Sequence, residues 1–456
     1  MAKIFMTSLG CAKNLVDAEI ALGGLLGDEH ELALAPDMAD VILVNTCGFI
    51  QSARDEAFAA IEEFIGLKRA FGGGILVAVM GCLAQRDPDQ ILRRFPELDA
   101  VWGLGVLGNI GGAMRDLLSS APRPRKSHFD SEKYIFSGPR LVSTPSSFSY
   151  LKIADGCDNR CNYCAIPEIR GRMRSRSSAE ILDEAKAFAD RGMHELVIVA
   201  QDTTLYGKDL DGSAGLGSLL EKLLRTIDIP RIRILYAHPA HIGEDVAALL
   251  LSEPRLCGYL DLPVQHVSDR MLAAMGRGYG KDRVIDLCER FGGADFTLRT
   301  TLLTGFPGEK EADFLEMLDV VRSRRFKKLG VFAYSPEKGT PAFGMPDQVP
   351  AAEAERRRGE VLLCQRKAAF EWLDSRIGGE EQVLIDRDRG DGWSEGRTIR
   401  EAPDADGVIL LRGAVSPGML VNACITGRNG YDLVSDPGGK AAGKHRRDRA
   451  RRRARR

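Results

Sequence analysis

Cys157-Asp158-Asn159-Arg160-Cys161-Asn162-Tyr163-Cys164 brings three thiols together directly after the apolar run Tyr150–Ala154. Iron–sulfur clusters are held by Cys thiolates. A cubane needs four ligands, so three thiolates leave one iron open, and an open iron can bind and reduce a small molecule. Zinc is the competing reading. A structural zinc site is closed by four ligands at short spacings, and no fourth Cys or His stands nearby: the next His is His194. The spacing favours a cluster, with zinc and unliganded thiols as the alternatives.

A second trio is spread more widely. Cys11, Cys47 and Cys82 sit in Ser8-Leu9-Gly10-Cys11, Asn45-Thr46-Cys47 and Met80-Gly81-Cys82, each just past an expected strand. In a parallel sheet all three would emerge at the carboxyl edge. Gly10, Gly48 and Gly81 flank them and would let backbone approach a bulky inorganic group. Inert buried cysteine is the alternative. Cys257, Cys288, Cys364 and Cys424 share no context and read as small buried hydrophobes. Two open-iron clusters in separate domains would pair a redox-cleaved cofactor with a sulfur source. That pairing points to insertion of sulfur into an unactivated C–H bond.

The elements that must position these residues follow from periodicity. Residues 1–118 alternate expected strands (Lys3–Ser8, Val41–Thr46, Ile75–Met80) with helices (Leu15–Leu26, Ala53–Lys68, Asp89–Phe95), which argues an α/β domain with a covered parallel sheet. Residues 119–142 read as a linker crowded with Ser, Pro and Arg. Residues 143–376 form a central unit in which strand and helix repeat about six times, ending in one helix, Ala351–Arg376. Six units are too few for a closed eight-stranded barrel and fit a partial one, with its site at the carboxyl ends of the strands. Residues 377–437 carry five short β-like runs and suggest a small oligonucleotide-binding-type barrel, or else a purely structural cap.

Length and composition set the outer bounds. The chain has 456 residues, 44% of them hydrophobic, and no apolar run long enough to cross a membrane. Its first residues read as a strand rather than a secretory signal. A cytoplasmic chain with reduced cysteines is therefore expected. Residues 440–456 carry ten Lys and Arg against Asp448, a net +9, so the chain total of −1 leaves −10 on residues 1–439. The block 438–456 reads as a disordered basic tail, with RNA as a polyanionic partner or solubility as the alternative role.

The motifs resemble a known family. Cys157-x-x-x-Cys161-x-x-Cys164, with Tyr163 before the last Cys, resembles the radical S-adenosylmethionine (SAM) superfamily. Ser8–Asp17, Val44–Ile50 and Gly81–Arg86 resemble the amino-terminal domain of the methylthiotransferases, and the terminal β module resembles their TRAM domain. Within that family Ser8–Asp17 (SLGCAKNLVD), Asp155–Asn159, Ala200–Thr204 and Leu262–Asp269 are similar to the RimO branch, which modifies an aspartate of a small-subunit ribosomal protein. The other branch modifies an adenosine of transfer RNA. A non-catalytic iron–sulfur ribosome-binding or redox-sensing protein is a third reading.

The resemblance implies two 4Fe–4S clusters and SAM as cofactors. Cys157, Cys161 and Cys164 would hold the cluster that cleaves SAM to a 5′-deoxyadenosyl radical. Cys11, Cys47 and Cys82 would hold the cluster that supplies sulfur to the aspartate β-carbon, and a second SAM would supply the methyl group. Tyr163, Gln201, Asp202, Gln265, Arg299 and Thr301, read at or near strand ends, are candidate SAM contacts. So are Gly305 and Gly308 of the turn Gly305-Phe306-Pro307-Gly308. Arg170, Arg172, Arg174 and Arg176, spaced two apart, would share one face of an extended segment. The partners implied are the ribosomal protein, an electron donor and, through the basic tail, ribosomal RNA. His238, His241 and His266 read as satisfied side chains rather than ligands.

Overall fold

The computed structural model describes residues 1–119, 126–127, 138–211, 215–293, 295–323 and 325–437. The expected basic tail lies outside the described residues, as does most of the expected linker.

The amino-terminal part is a parallel sheet of β1 (Lys3–Ser8), β2 (Glu31–Leu32), β3 (Val41–Thr46), β4 (Leu76–Gly81), β5 (Ala100–Trp102) and β6 (Lys126–Ser127), in the order β2-β1-β3-β4-β5-β6. The middle strand is buried on both faces, as its unbroken apolar run demands. Successive side chains point to opposite faces. Ile42 and Val44 therefore join Val77 and Val79 under Phe58, Ile61 and Ile65 of the helix Gln51–Ala70. Val41 and Leu43 instead join Ala78 and Met80 under Ala21 and Leu25 of α1 (Ala12–Gly27). Ser8 pairs with Asn45 and Thr46 with Gly81, so β1, β3 and β4 end together.

The central part is a second parallel sheet. It comprises β7 (Phe148–Lys152), β10 (Glu195–Val199), β11 (Arg231–Ile234), β12 (Leu256–Asp261), β13 (Thr297–Thr304) and β14 (Lys328–Ala333), and β7 and β14 are the open edges. A short antiparallel pair, β8 (Ala154–Asp155) with β9 (Arg174–Ser175), follows β7. The helices wrap the outer face around one large apolar core. The inner face is filled from outside the unit: Val16 and Ile20 of α1 and Ala402 of the carboxy-terminal part pack against Phe148, Tyr150, Val197, Val199 and Tyr259.

The carboxy-terminal part is a closed five-stranded barrel of β15 (Glu380–Asp388), β16 (Trp393–Arg397), β17 (Ile409–Arg412), β18 (Leu420–Asn429) and β19 (Asp432–Pro437). Closure leaves no free sheet edge. The helix Ala351–Arg376 bridges the parts, with Val361 in the central core and Leu373 in the small barrel. No helix of the described residues is long and apolar enough to cross a membrane. Cys257 and Cys288 are buried as expected, whereas Cys364 and Cys424 are only half-buried.

Charge ties the two barrels together. Glu195, fully buried, accepts from Arg233 Nε at 2.7 Å and from Arg397 Nη1 at 2.9 Å. Burial alone would raise its pKa, but Arg233 and Arg397 outweigh burial and hold it at about 2. The chain Arg397, Arg233, Glu195 is buried and paired, so loss of one member strands the others. Glu195→Gln is expected to cost about 3–5 kcal/mol, read as a lower denaturant midpoint. Because the folded pKa is depressed, the contribution of Glu195 is complete above the ordinary glutamate range. It is lost as pH falls toward about 2, and the variant should lack that component of the acid transition.

Candidate functional site at two facing cysteine trios

The shared ends of β1, β3 and β4 bring the first trio together. Cys11 caps α1, Cys47 directly follows β3, and Cys82 opens the short helix Cys82–Arg86. The three loops touch. A Cβ on Gly10, whose φ is +93°, would lie 2.7 Å from Cys47 Cβ, and one on Gly48 would lie 2.7 Å from Leu83 Cα. Only glycine permits such an approach. Asn14 fastens the loops: its Nδ2 donates to Leu9 O at 2.8 Å and to Thr46 O at 3.1 Å, and its own carbonyl accepts from Asn45 Nδ2 at 2.7 Å.

The second trio lies on the loop after β8. Cys157 N–H donates to Gly171 O and Cys164 N–H to Cys161 O. Asn162 anchors the loop to the turn before Arg277 through Met275 O and Ala274 O. Arg277 Nη1 donates to Cys161 Sγ and to the Tyr163 hydroxyl, both at 3.2 Å, and its Nη2 donates to Pro263 O at 2.7 Å. Tyr163 stands edge-on to the buried ring of Phe306.

One guanidinium joins the two loops. Arg170 Nη2 donates to Cys82 Sγ at 3.2 Å, to Asn14 Oδ1 at 3.1 Å and to Asp17 Oδ2 at 2.9 Å, all in the amino-terminal part. Its Nη1 donates to Asp155 Oδ2 at 2.8 Å in the central part. Lys152 bonds both carboxylates. All four side chains are buried and their charges balance. Cys82 also packs against Ala165 and Ile169, which directly follow the second trio. Cys82 of the first trio and the chain on either side of the second trio therefore meet at this contact.

The donor chemistry suits clusters. Burial holds the thiols protonated, pushing Cys157 to about 11 and Cys82 and Cys164 to about 12. Cys47 is also raised by burial. Cys11 is lowered, because Lys13 and Arg170 outweigh its burial. Among the described residues, the only three Cys, His, Asp or Glu ligand atoms within 4.8 Å of one another belong to Asp202, His238 and His241. Neither cysteine trio is that tight. Zinc at 2.3 Å from each sulfur would hold its sulfurs about 3.8 Å apart, and neither trio is drawn in to that extent. The histidine group is only partly bonded: His238 Nε2 is buried without a hydrogen-bond partner, as is His266 Nε2, so the expectation that both side chains are satisfied does not hold for those atoms. His238 Nδ1 accepts from Ala240 N–H, and Asp202 Oδ2 is shared by His241 Nδ1 and Asn159 Nδ2. Burial keeps His238 neutral, at about 3.

The candidate SAM residues fall into two sets. Gln201 and Asp202 follow β10 as expected. Gln201 Nε2 donates to Asp155 Oδ1 at 2.8 Å, and its Oε1 is buried without a hydrogen-bond partner. The buried Tyr334 hydroxyl, at the end of β14, is likewise unpartnered. Such orphaned groups suit a polar ligand at the carboxyl ends of the strands. Gln265 has φ +67°, a strained value for a non-glycine residue, and its N–H and carbonyl bond β13. Gly305 and Gly308 bracket the turn that seats Phe306 beside Tyr163. Arg299 and Thr301 lie inside β13, not at its end. Arg299 pairs with Asp261 at 2.7 Å and reaches Asp406 of the carboxy-terminal part.

The arginine run departs from expectation. Arg170 ends the helix Ile166–Arg170 and is buried, Arg172 is exposed beside Asp158, and Arg176 is buried against Glu184. They share no face, because the helix end and the turn at Gly171 break the extended register. Arg277, Asn14, Lys13 and Lys152 escaped the sequence reading. The local signals were Asn14 and Asp17 on the helix after Cys11, and Arg277 between two glycines of positive φ.

Comparison with known proteins agrees with this geometry. Residues 151–321 match the Radical SAM superfamily, 3–103 the Uncharacterized protein family UPF0004, and 377–437 the TRAM domain. The chain is 42% identical over 440 residues to "Ribosomal protein uS12 methylthiotransferase RimO" of Desulforudis audaxviator, covering 95% of this chain and 96% of that protein. It is 40% identical over 442 residues to the protein of the same name from Clostridioides difficile, covering 96% and 99%. The radical SAM methyltransferase TsrM of Kitasatospora setae has a similar fold, with a TM-score of 0.52 at 15% identity over 72% of each chain. The chain belongs to the RimO methylthiotransferase family of radical SAM enzymes.

Proposed function

We propose that the chain methylthiolates the β-carbon of an aspartate in the small-subunit ribosomal protein uS12. The observation that carries this reading is the meeting of two cysteine trios, one at the end of each parallel sheet, across the Arg170 contact. Cys157, Cys161 and Cys164 would hold one 4Fe–4S cluster with SAM, and Cys11, Cys47 and Cys82 the other. When bound, these groups supply radical cleavage of SAM and the sulfur atom.

The chain's own residues position and shield. Arg277 places a charge on Cys161 Sγ and Arg170 one on Cys82 Sγ, so each trio carries a charge-assisted contact. Tyr163, Gln201, Asp202, Gln265, Gly305 and Gly308 would border SAM, with Gln201 Oε1 free to accept from its ammonium. Arg299 and Thr301, committed inside β13, would act by shaping that strand. Val16, Ile20 and Ala402 fill the barrel interior below the site and exclude water from it. The ribosomal target places the reaction in the cytoplasm, with an electron donor of low potential. Residues 440–456, outside the described residues, would add salt-dependent attraction to ribosomal RNA.

Three outcomes test this reading. Cys157→Ala should lose half the iron and all reductive release of 5′-deoxyadenosine from SAM. Cys11→Ala should lose the other half, keep that release, and yield no methylthiolated uS12 by mass spectrometry. Loss of 5′-deoxyadenosine in both variants would contradict the division of labour. Iron loading should also weaken as pH falls, because thiols near 11 to 12 must shed protons to bind metal. Anaerobic titration should show an affinity change of roughly tenfold per pH unit for each proton displaced. Removing residues 438–456 should reduce ribosome association at low salt without reducing modification of free uS12. Equal losses in both assays would exclude the RNA role.

A further inference from the structure

Lys13 is 8% exposed, so its ammonium is taken out of water almost completely. It follows Cys11 by two positions on α1. The Nζ lies 3.2 Å from the centre of the Tyr236 ring, beyond the end of β11 in the central part. Among the described residues, no carboxylate comes within ion-pair distance and no cysteine sulfur takes a hydrogen bond from it. Its neighbour Arg170 is saturated by Asp17, Asp155, Asn14 and Cys82. Lys152 is paired as well. Lys13 is therefore the cation of this junction that has a ring face and no carboxylate, its charge acting on the neighbouring Cys11 thiol.

A buried ammonium without an anion is costly. A cation–π contact returns only part of that cost. Such a group is retained where a ligand completes it. Tyr236 is held in an uncommon backbone state, with φ +62°. Its N–H donates to Asp261 Oδ2 at 3.1 Å, and its carbonyl accepts from Thr203 N–H. The ring is thus a fixed platform, supplied by the central part, for an ammonium that stands beside the first trio.

We propose that Lys13 is the subsite for the carboxylate of the substrate aspartate. The deduction rests on the methylthiotransferase reading above. The carbon to be modified is bonded directly to that carboxylate carbon. Gripping the carboxylate between the trios therefore sets the β-carbon within reach of both. It also discriminates against an amide or an apolar side chain, which would leave the ammonium without an anion.

The test compares binding of free uS12 with binding of uS12 whose target aspartate is replaced by asparagine. Both are measured on the reconstituted full-length enzyme with SAM and no reductant. The unaltered enzyme should prefer the aspartate form by on the order of tenfold to a hundredfold. Lys13→Met should bring the ratio near one, and Lys13→Arg should keep most of it. Equal binding of the two forms by the unaltered enzyme would overturn the proposal, and so would an undiminished preference in Lys13→Met. If Lys13→Met instead loses iron, the ammonium serves the cluster and the subsite is refuted. That arm is read from iron and sulfide content, independently of uS12. An unaltered enzyme that shows the preference yet leaves uS12 unmodified would refute the methylthiotransferase reading while leaving the carboxylate subsite standing.

Discussion

The arrangement hangs on one buried guanidinium. Arg170 divides its donors between Asp17 and Cys82 on one side and Asp155 on the other. Lys152 closes the set, so two cations face two carboxylates in a water-poor space. Burial would push the Asp155 pKa up, but Arg170 and Lys152 overcome this and hold it well below the carboxylate range. A set of this kind tolerates no missing member, because each partner left behind is a buried charge. The cost enforces geometry: the two parts cannot separate or slide without breaking it. The distance between the trios is therefore fixed by electrostatics as much as by packing.

Apolar contact reinforces that fixity. The helix α1 serves two surfaces: Ala21 and Leu25 cover the amino-terminal sheet, while Val16 and Ile20 enter the central barrel. Cys11 sits at the head of the same helix. Packing inside the barrel thus positions a thiol that belongs to another sheet. The helix α1 is buried on nearly every side, and the polar groups this encloses, Asn14, Asp17 and Glu19, are each bonded.

Much of this was legible in the sequence, and the limits have a physical cause. The strand Val41–Thr46 announced itself as a continuous apolar run, and the cysteines after three such runs had to share an edge in a parallel sheet. The helix Ala351–Arg376 and the five short terminal strands were visible from composition and turn residues. The choice of partners was not. Arg170 and Asp17 are 153 positions apart, and nothing local to either names the other. The same limit misplaced Arg299, whose charge is matched by Asp261 on the neighbouring strand and by Asp406 in a different part. The even spacing of the arginines suggested a strand, yet Gly171, with φ +76°, turns the chain between Arg170 and Arg172.

The junction of the two barrels bears on how the chain matures. Arg231, Arg233, Arg299 and Lys328 of the central sheet meet backbone carbonyls or acids supplied by residues 382–406. That segment is synthesised after the whole of the central sheet. Until it emerges, these four cations have only Glu195 and Asp261 of the central sheet as counter-charges. A nascent or truncated chain therefore holds an unfinished, self-repelling surface, and synthesis of the final module is what completes the domain made before it. Completion of the central sheet is in this way coupled to synthesis of the module that follows it.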